Sequence, residues 1–206
     1  MRLTLLYLTS IIAGFCMMAL ELLGGRFLAP GFGSSIHVWA ALISVFILSL
    51  SIGYWVGGKW ADRITSSRPL GYIILAAAAL YFLLPTYALP LANVIRESMG
   101  EERLPIYICA MALFLFPSML LGFVSPMLVR LVFVDEKQVG STTGTLYAVG
   151  SIGNVLGILV TDYILLVHFD LNHTTWGLGA ALALVGLLHI ALGMPTIKTD
   201  TAKVTA

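Results

Sequence analysis

The stretch "LTLLYLTSIIAGFCMMALELL", residues 3–23, decides the fold class of this chain. It contains one charged side chain, Glu21, which lies near its end. An α-helix rises about 1.5 Å per residue, and roughly 20 apolar residues are needed to cross the hydrocarbon core of a bilayer. The stretch therefore predicts a transmembrane helix.

The composition of the whole chain agrees with that prediction. Of 206 residues, 59% are hydrophobic and 10% are charged, and the mean hydropathy is +0.98. This number of charged residues is too small to cover the surface of a water-soluble domain. We therefore expect an integral membrane protein in contact with the lipid bilayer. The 11 basic and 10 acidic residues form no cationic surface, which argues against nucleic-acid binding.

Six apolar stretches predict six transmembrane helices and an all-α integral membrane fold. They lie at about residues 3–23, 38–58, 70–90, 105–129, 145–167 and 175–194. The connections between them are rich in Gly, Pro and Ser or carry charges, which is typical of loops. We expect one six-helix domain over residues 1–195 and a short polar cytoplasmic tail over residues 196–206.

The basic residues predict the orientation of the chain in the inner cell membrane. Loops on the cytoplasmic side of a membrane protein carry an excess of Lys and Arg. With a cytoplasmic N-terminus, the inner side receives Arg2, Lys59, Arg63, Arg68, Arg130, Lys137, Lys198 and Lys203, and the outer side receives Arg26, Arg96 and Arg103. This distribution favours a multi-pass protein with both termini in the cytoplasm.

Two acidic side chains from different helices are predicted to lie near the outer surface. Glu21 comes about 27 Å along the first helix and Asp162 about 26 Å along the fifth. Other polar and aromatic side chains fall at the same level. The candidate substrate-binding residues are Glu21, Arg26, His37, Trp39 and Asp162.

Two interpretations of Glu21 remain open. As an interfacial anchor, it would pair with Arg26 if the helix broke at Gly24 and Gly25, because on an unbroken helix the two side chains point roughly 140° apart. As part of a binding site, Glu21 and Asp162 would offer two carboxylates to a small cationic ligand. Either role accounts for a carboxylate at the edge of a membrane.

The fifth apolar stretch is rich in glycine and predicts close helix packing. The spacing Gly153-x-x-x-Gly157, with Gly150 one turn earlier, allows the backbones of two helices to approach. The partner helix belongs either to the same chain or to a second copy. Asn154 is predicted near the midplane, where an amide needs a hydrogen-bonding partner or a cavity, and such amides commonly hold helices together.

We expect no catalytic residues, cofactor or metal. Glu21, Asp162, His37 and His168 are suitable metal ligands and lie at one predicted depth, but nothing in their spacing requires a metal site. The two cysteines lie in apolar stretches and are interpreted as packing residues.

The segment "GYWVGGKWADR", residues 53–63, resembles the loop between the second and third helices of the major facilitator superfamily. In that superfamily an aspartate and neighbouring arginines hold adjacent helices in register. The resemblance implies a structural role for Gly57, Gly58, Asp62 and Arg63, with Asp62 favouring the start of the next helix.

A longer series of residues resembles the membrane portion of the spermidine-synthase-like transmembrane proteins. The series is Glu21-Leu22, Arg26-x-Leu28-Ala29-Pro30, Gly33-x-Ser35, Trp39, Gly53-Tyr54, Gly57-Gly58 and Ala61-Asp62-Arg63, and "GTLYAVGSIGNVLG" at 144–157 is similar to the family's fifth helix. The resemblance implies half of a facilitator-like bundle. The family's soluble aminopropyltransferase domain has no counterpart in the sequence, so we do not expect that activity.

These observations predict a transporter, or half of one, for a small cationic metabolite of the polyamine kind. A facilitator fold needs two six-helix bundles, so the prediction includes a homodimer or a second membrane or soluble subunit. The alternative is a non-transporting scaffold that docks a separate soluble enzyme or stabilises a membrane complex. Short loops, and the absence of an ionisable residue at the predicted bilayer centre, favour that alternative.

Overall fold

The computed structural model describes residues 2–100, 103–132 and 139–195, and within these ranges the chain is helical without a β-strand. The helices are α1 (Arg2–Phe32), α2 (Ile36–Ala61), α3 (Arg68–Met99), α4 (Arg103–Val132), α5 (Val139–Val160, continued by Thr161–Leu165 and Leu166–His168) and α6 (Leu171–Leu192). All six are long and apolar enough to cross a membrane. The predicted all-α fold of six helices is therefore confirmed for the described residues, and it supports a multi-pass membrane protein. The predicted tail, which contains Lys198 and Lys203, lies outside the described residues, and so does Lys137.

The helices extend beyond the apolar stretches that predicted them. α1 continues without a break through Gly24 and Gly25 and ends at Phe32, where Gly33 adopts a positive φ of 72°. α3 likewise passes through Pro85 and Pro90. Hydropathy marks only the apolar part of a helix, whereas the backbone hydrogen bonds continue through the polar turns that follow.

Gly24 and Gly25 remain helical because neighbouring helices pack against them. A Cβ atom added to Gly24 would lie 2.9 Å from a methyl carbon of Leu42, and one added to Gly25 would lie 3.3 Å from the ring of Trp39. The two glycines therefore bring α2 close to α1, and they do not end the helix.

Successive helices run in opposite directions. The connections between them contain two to six residues, and six extended residues span about 20 Å, which is shorter than any of these helices. We call the end of the bundle where α1, α3 and α5 begin the near end, and the opposite end the far end.

The bundle is assembled from three helix pairs, α1 with α5, α2 with α4 and α3 with α6, which make its most extensive contacts. If α1 is exchanged with α4, α2 with α5 and α3 with α6, the same three pairs result. Because α1 begins at the near end and α4 at the far end, the two halves have opposite orientations. The helix pairing therefore has the symmetry of an inverted repeat of two three-helix units.

The sequence retains a trace of this repeat. Residues 51–57, "SIGYWVG" in α2, and residues 151–157, "SIGNVLG" in α5, occupy equivalent places. The glycines of the first motif press on the α4 backbone at residues 119–123, and those of the second press on the α1 backbone at residues 11–15. The predicted close packing at Gly153 and Gly157 is thus found within one chain.

The near end is held together by hydrogen bonds between α6 and the start of α3. Ser67 N–H donates to the carbonyl of Met194 at 2.8 Å, and Ser67 Oγ–H donates to the carbonyl of His189 at 3.0 Å. The His189 ring is buried, with Nε2 2.9 Å from Thr9 Oγ1. These contacts agree with a structural role for this histidine. Cys16 and Cys109 are both buried and free.

We predict that Gly57→Ala destabilises the bundle and that Gly58→Ala does not. A Cβ at Gly57 would lie 2.7 Å from Phe123 Cα, whereas a Cβ at Gly58 would meet nothing within 4 Å. We expect Gly57→Ala to lower the free energy of unfolding by about 1–3 kcal/mol. Gly58→Ala should leave it unchanged or raise it by up to about 1 kcal/mol, since Ala favours a helix more than Gly does.

Unfolding of both variants in detergent, followed by circular dichroism, tests this prediction. Equal losses of stability in the two variants would contradict the close contact between α2 and α4.

Candidate functional site

One face of the bundle, formed by α1, α2, α4 and α5, carries a groove that runs from the far end to the near end. Four hollows, of about 250, 150, 270 and 340 Å³, follow one another along it. The first two share Leu22 and Trp39, the second and third share Met18, and the third and fourth share Tyr147. Since each hollow shares a wall with the next, we treat the four as one groove.

The far mouth of the groove contains three of the predicted binding residues. Arg26 of α1, Trp39 of α2 and Asp162 of α5 all line the first hollow. Arg26 and Asp162 are exposed, so both charges can be hydrated or meet a ligand. The structure therefore brings together the guanidinium, one carboxylate and the indole that the sequence placed at one depth.

Asp162 lies in a local irregularity of α5 that was not predicted from the sequence. Residues Thr161–Leu165 form a π-helical turn, in which Leu166 N–H donates to the carbonyl of Thr161, five residues earlier. Such a turn contains one extra residue and shifts the direction of the side chains around it, and π-helical turns are frequent at functional sites. Asp162 reaches the far mouth from this turn.

Glu21 lines the second hollow, one step deeper than Arg26. It is half-buried and lies with Trp39 of α2 and Ile158 of α5. Glu21 and Arg26 form no ion pair within the described residues. The pairing that a break at Gly24 would have allowed does not form, because α1 is continuous and turns the two side chains apart.

The two histidines of the predicted outer layer lie outside the groove. His37 and His168 are exposed and line none of the four hollows. His168 Nδ1 lies 2.8 Å from the carbonyl oxygen of Ile164 on its own helix. Among the described residues, no three or more His, Cys, Asp and Glu side chains are grouped to hold a metal ion.

The third hollow, at the centre of the groove, is polar but uncharged. Its polar lining residues are Ser10, Tyr54, Ser125, Tyr147, Ser151 and Asn154. No charged side chain is among its lining residues, all of which the structure describes. Sequence analysis identified only Asn154 of this set.

Asn154 fits against α1 at a glycine. A Cβ on Gly14 would lie 2.6 Å from Asn154 Oδ1, so only glycine at this position leaves room for the amide. The Asn154 side chain makes no hydrogen bond to any described residue. Its amide is therefore available to a ligand or to water in the central hollow.

The near mouth repeats the chemistry of the far mouth. Asp62, which follows α2, and Arg130 of α4 both line the fourth hollow. Asp62 and Asp162 follow the equivalent motifs of the inverted repeat, five residues after Gly57 and Gly157. Each mouth of the groove thus contains one aspartate and one arginine.

The loop motif inferred from the facilitator resemblance has a different local structure from the one expected. Gly57 and Gly58 lie inside α2, and Asp62 caps the end of that helix, with its N–H donating to the carbonyl of Gly58 at 3.3 Å. Asp62 does not start α3, whose N-cap is Ser67. Asp62 and Arg63 are exposed, and neither forms an ion pair within the described ranges.

Comparisons of the chain with protein-family models, with curated proteins and with solved structures found no match. The resemblance to the spermidine-synthase-like transmembrane proteins therefore stays a prediction.

At the far end, Asp170 caps the start of α6. Its carboxylate accepts a hydrogen bond from His173 N–H at 3.1 Å and contacts His173 Nδ1. Hydrogen bonding from the His173 side chain, and then from its backbone N–H, holds the pKa of Asp170 below its ordinary value. The cap fixes the short connection between α5, which carries Asp162, and α6.

We predict that Asp170→Ala lowers the melting temperature in detergent and that Asp170→Asn lowers it less, because an asparagine can still cap the helix. The pKa of Asp170 is lowered in the folded state, so its ionised form stabilises the fold above the ordinary carboxyl pKa. That contribution is lost as the pH falls through the lowered folded value.

Melting temperatures of the native protein and the Asn variant, measured from neutral to acid pH, test this. The difference between them should shrink as the pH falls. A difference that stays constant with pH would contradict a role for the Asp170 charge.

Proposed function

We propose that this chain is half of a membrane transporter for small cationic amines, and that two copies face each other across the groove. One observation carries the proposal: a groove with polar or charged side chains at every level runs from one end of the bundle to the other. A purely structural bundle has no need of such a path.

The grooved face needs a cover within the membrane. Asn154, Ser151 and Tyr54 lie on helices long enough to cross the bilayer, yet their polar groups open onto this face. Polar groups facing acyl chains are costly, so such side chains normally face protein or a water-filled cavity. A second bundle placed against the face would enclose them.

A second copy of the same chain is the occupant that we propose. The bias of basic residues gives every copy one orientation, with the near end in the cytoplasm of the cell. Two copies in one orientation are related by a two-fold axis along the membrane normal and present the same face to each other. The resemblance to facilitators supports this arrangement, because those proteins pair two six-helix bundles in the same way.

The charges at the far mouth explain the preference for cations. Glu21 and Asp162 line adjacent hollows, so an ammonium group can meet first one carboxylate and then the other. Arg26 lines the same hollow as Asp162 and supplies a positive charge when no ligand is bound. At the near mouth, Asp62 can likewise bind an ammonium group, and Arg130 supplies a positive charge when no ligand is bound. Both mouths can therefore accept and release a cation.

We predict that Glu21→Gln and Asp162→Asn each reduce amine uptake at least about tenfold, a change that corresponds to about 1.4 kcal/mol of lost binding. Both substitutions keep the size of the side chain and remove its negative charge. The measurement is uptake of a radiolabelled primary amine into proteoliposomes.

Glu97→Gln is the matched control, because Glu97 is an exposed carboxylate near the far end of α3 and lines none of the four hollows. It should leave uptake unchanged. Unchanged uptake in both groove variants would eliminate the acidic mouth. Absence of uptake by the native protein, together with co-purification of a soluble enzyme, would favour a scaffold instead.

A cross-linking experiment tests the proposed dimer. Ser151→Cys places a thiol on the grooved face, whereas Leu184→Cys places one on the exposed side of α6. We expect a short bis-maleimide to cross-link the Ser151→Cys protein into dimers in native membranes. The Leu184→Cys protein should not be cross-linked, because its thiol lies away from the proposed interface. The reverse pattern would show that a different face is covered.

A further inference from the structure

The centre of the groove differs chemically from its mouths. Each mouth contains one aspartate and one arginine, and Glu21 lines the hollow next to the far mouth, whereas the polar side chains of the central hollow of about 270 Å³ carry hydroxyl groups and one amide. A ligand that extends from the far mouth to the centre therefore meets negative charge at one end and uncharged hydrogen-bonding groups at the other.

The Ser10 hydroxyl donates to the carbonyl of Leu146, but other hydrogen-bonding groups of the central hollow are available. The Asn154 side chain has no partner among the described residues, and its amide both donates and accepts. The phenols of Tyr54 and Tyr147 line the hollow from α2 and α5. Ser125 lines the same hollow, so donors and acceptors converge there from three helices.

The length of α1 separates the two kinds of group. Asn154 packs at Gly14, and Glu21 lies seven residues further along the same helix. At 1.5 Å per residue, the backbone of Glu21 lies about 10 Å beyond the level of the amide along the helix axis. A ligand that uses both groups must span roughly this distance.

A second positive charge on the ligand would be unfavourable at the centre. An ammonium group taken out of water needs a carboxylate or a full set of acceptors, and no carboxylate lines the central hollow. An uncharged hydroxyl or amide group matches the donors and acceptors there at a much smaller desolvation cost.

From this arrangement we propose that the central hollow, with Asn154, Tyr54 and Tyr147, binds an uncharged hydrogen-bonding group of the transported amine. The substrate is then a singly charged amine with a hydroxyl or amide about 10 Å from its ammonium group. A polycation is a poorer ligand. The inference rests on the proposed function and narrows its substrate class.

Binding of two probes of equal length to the purified protein tests the inference. The probes are an eight-carbon amino alcohol and the eight-carbon diamine, and their affinities are measured by competition with a radiolabelled amine. We expect the amino alcohol to bind roughly tenfold more tightly than the diamine, because its hydroxyl gains a hydrogen bond at the centre and no second charge is buried there.

Three variants identify the groups responsible. Asn154→Leu should remove the preference for the amino alcohol, whereas Glu21→Gln should weaken the binding of both probes. Asn172→Leu, at an exposed asparagine of α6, is the matched control and should change neither. If Asn154→Leu does not fold, Tyr54→Phe removes one hydroxyl group and keeps the ring, and it should reduce the preference.

The outcomes separate this inference from the proposed function. Equal affinities, or tighter binding of the diamine, would overturn the inference and leave the amine-transport proposal standing. Failure of both probes to bind the native protein would overturn both. A preference for the amino alcohol that persists in Asn154→Leu and in Tyr54→Phe would show that the central hollow does not recognise the ligand.

Discussion

Close contact between helix backbones is the constraint on which the rest of this structure depends. Within a membrane, apolar side chains gain little by leaving lipid for protein, so helices associate largely through tight packing. The glycines of the motifs at 51–57 and 151–157 supply that packing by bringing α2 onto α4 and α5 onto α1. The two tightly packed pairs lie side by side and leave the groove between them. The positions of the polar side chains inside the groove thus depend on the glycine contacts between the helices on either side of it.

The distribution of charge along the groove follows from what each depth of a membrane tolerates. The carboxylates and arginines line the two mouths and the hollow next to the far mouth, whereas the central hollow has hydroxyl and amide groups and no charged side chain. Under the proposed function, a cation would therefore leave its strongest partners behind as it moves inward from either end.

Much of this architecture could be predicted from the amino-acid sequence, because hydropathy and the rise of a helix fix spans and depths. Both predicted the six helices and the common level of Arg26 and Asp162. They could not predict that α1 continues through Gly24, which depends on a side chain of α2, or that α5 contains a π-helical turn. Tyr54 was not identified as a lining residue of the groove. Its position one residue after Gly53, equivalent to that of Asn154 after Gly153, could have indicated it.

The inverted repeat also bears on how such a chain arises. Each unit has three helices, an odd number, so a tandem duplication of one unit places the second copy upside down in the membrane without any rearrangement. On this view Asp62 and Asp162 descend from one residue and now lie at opposite ends of the bundle.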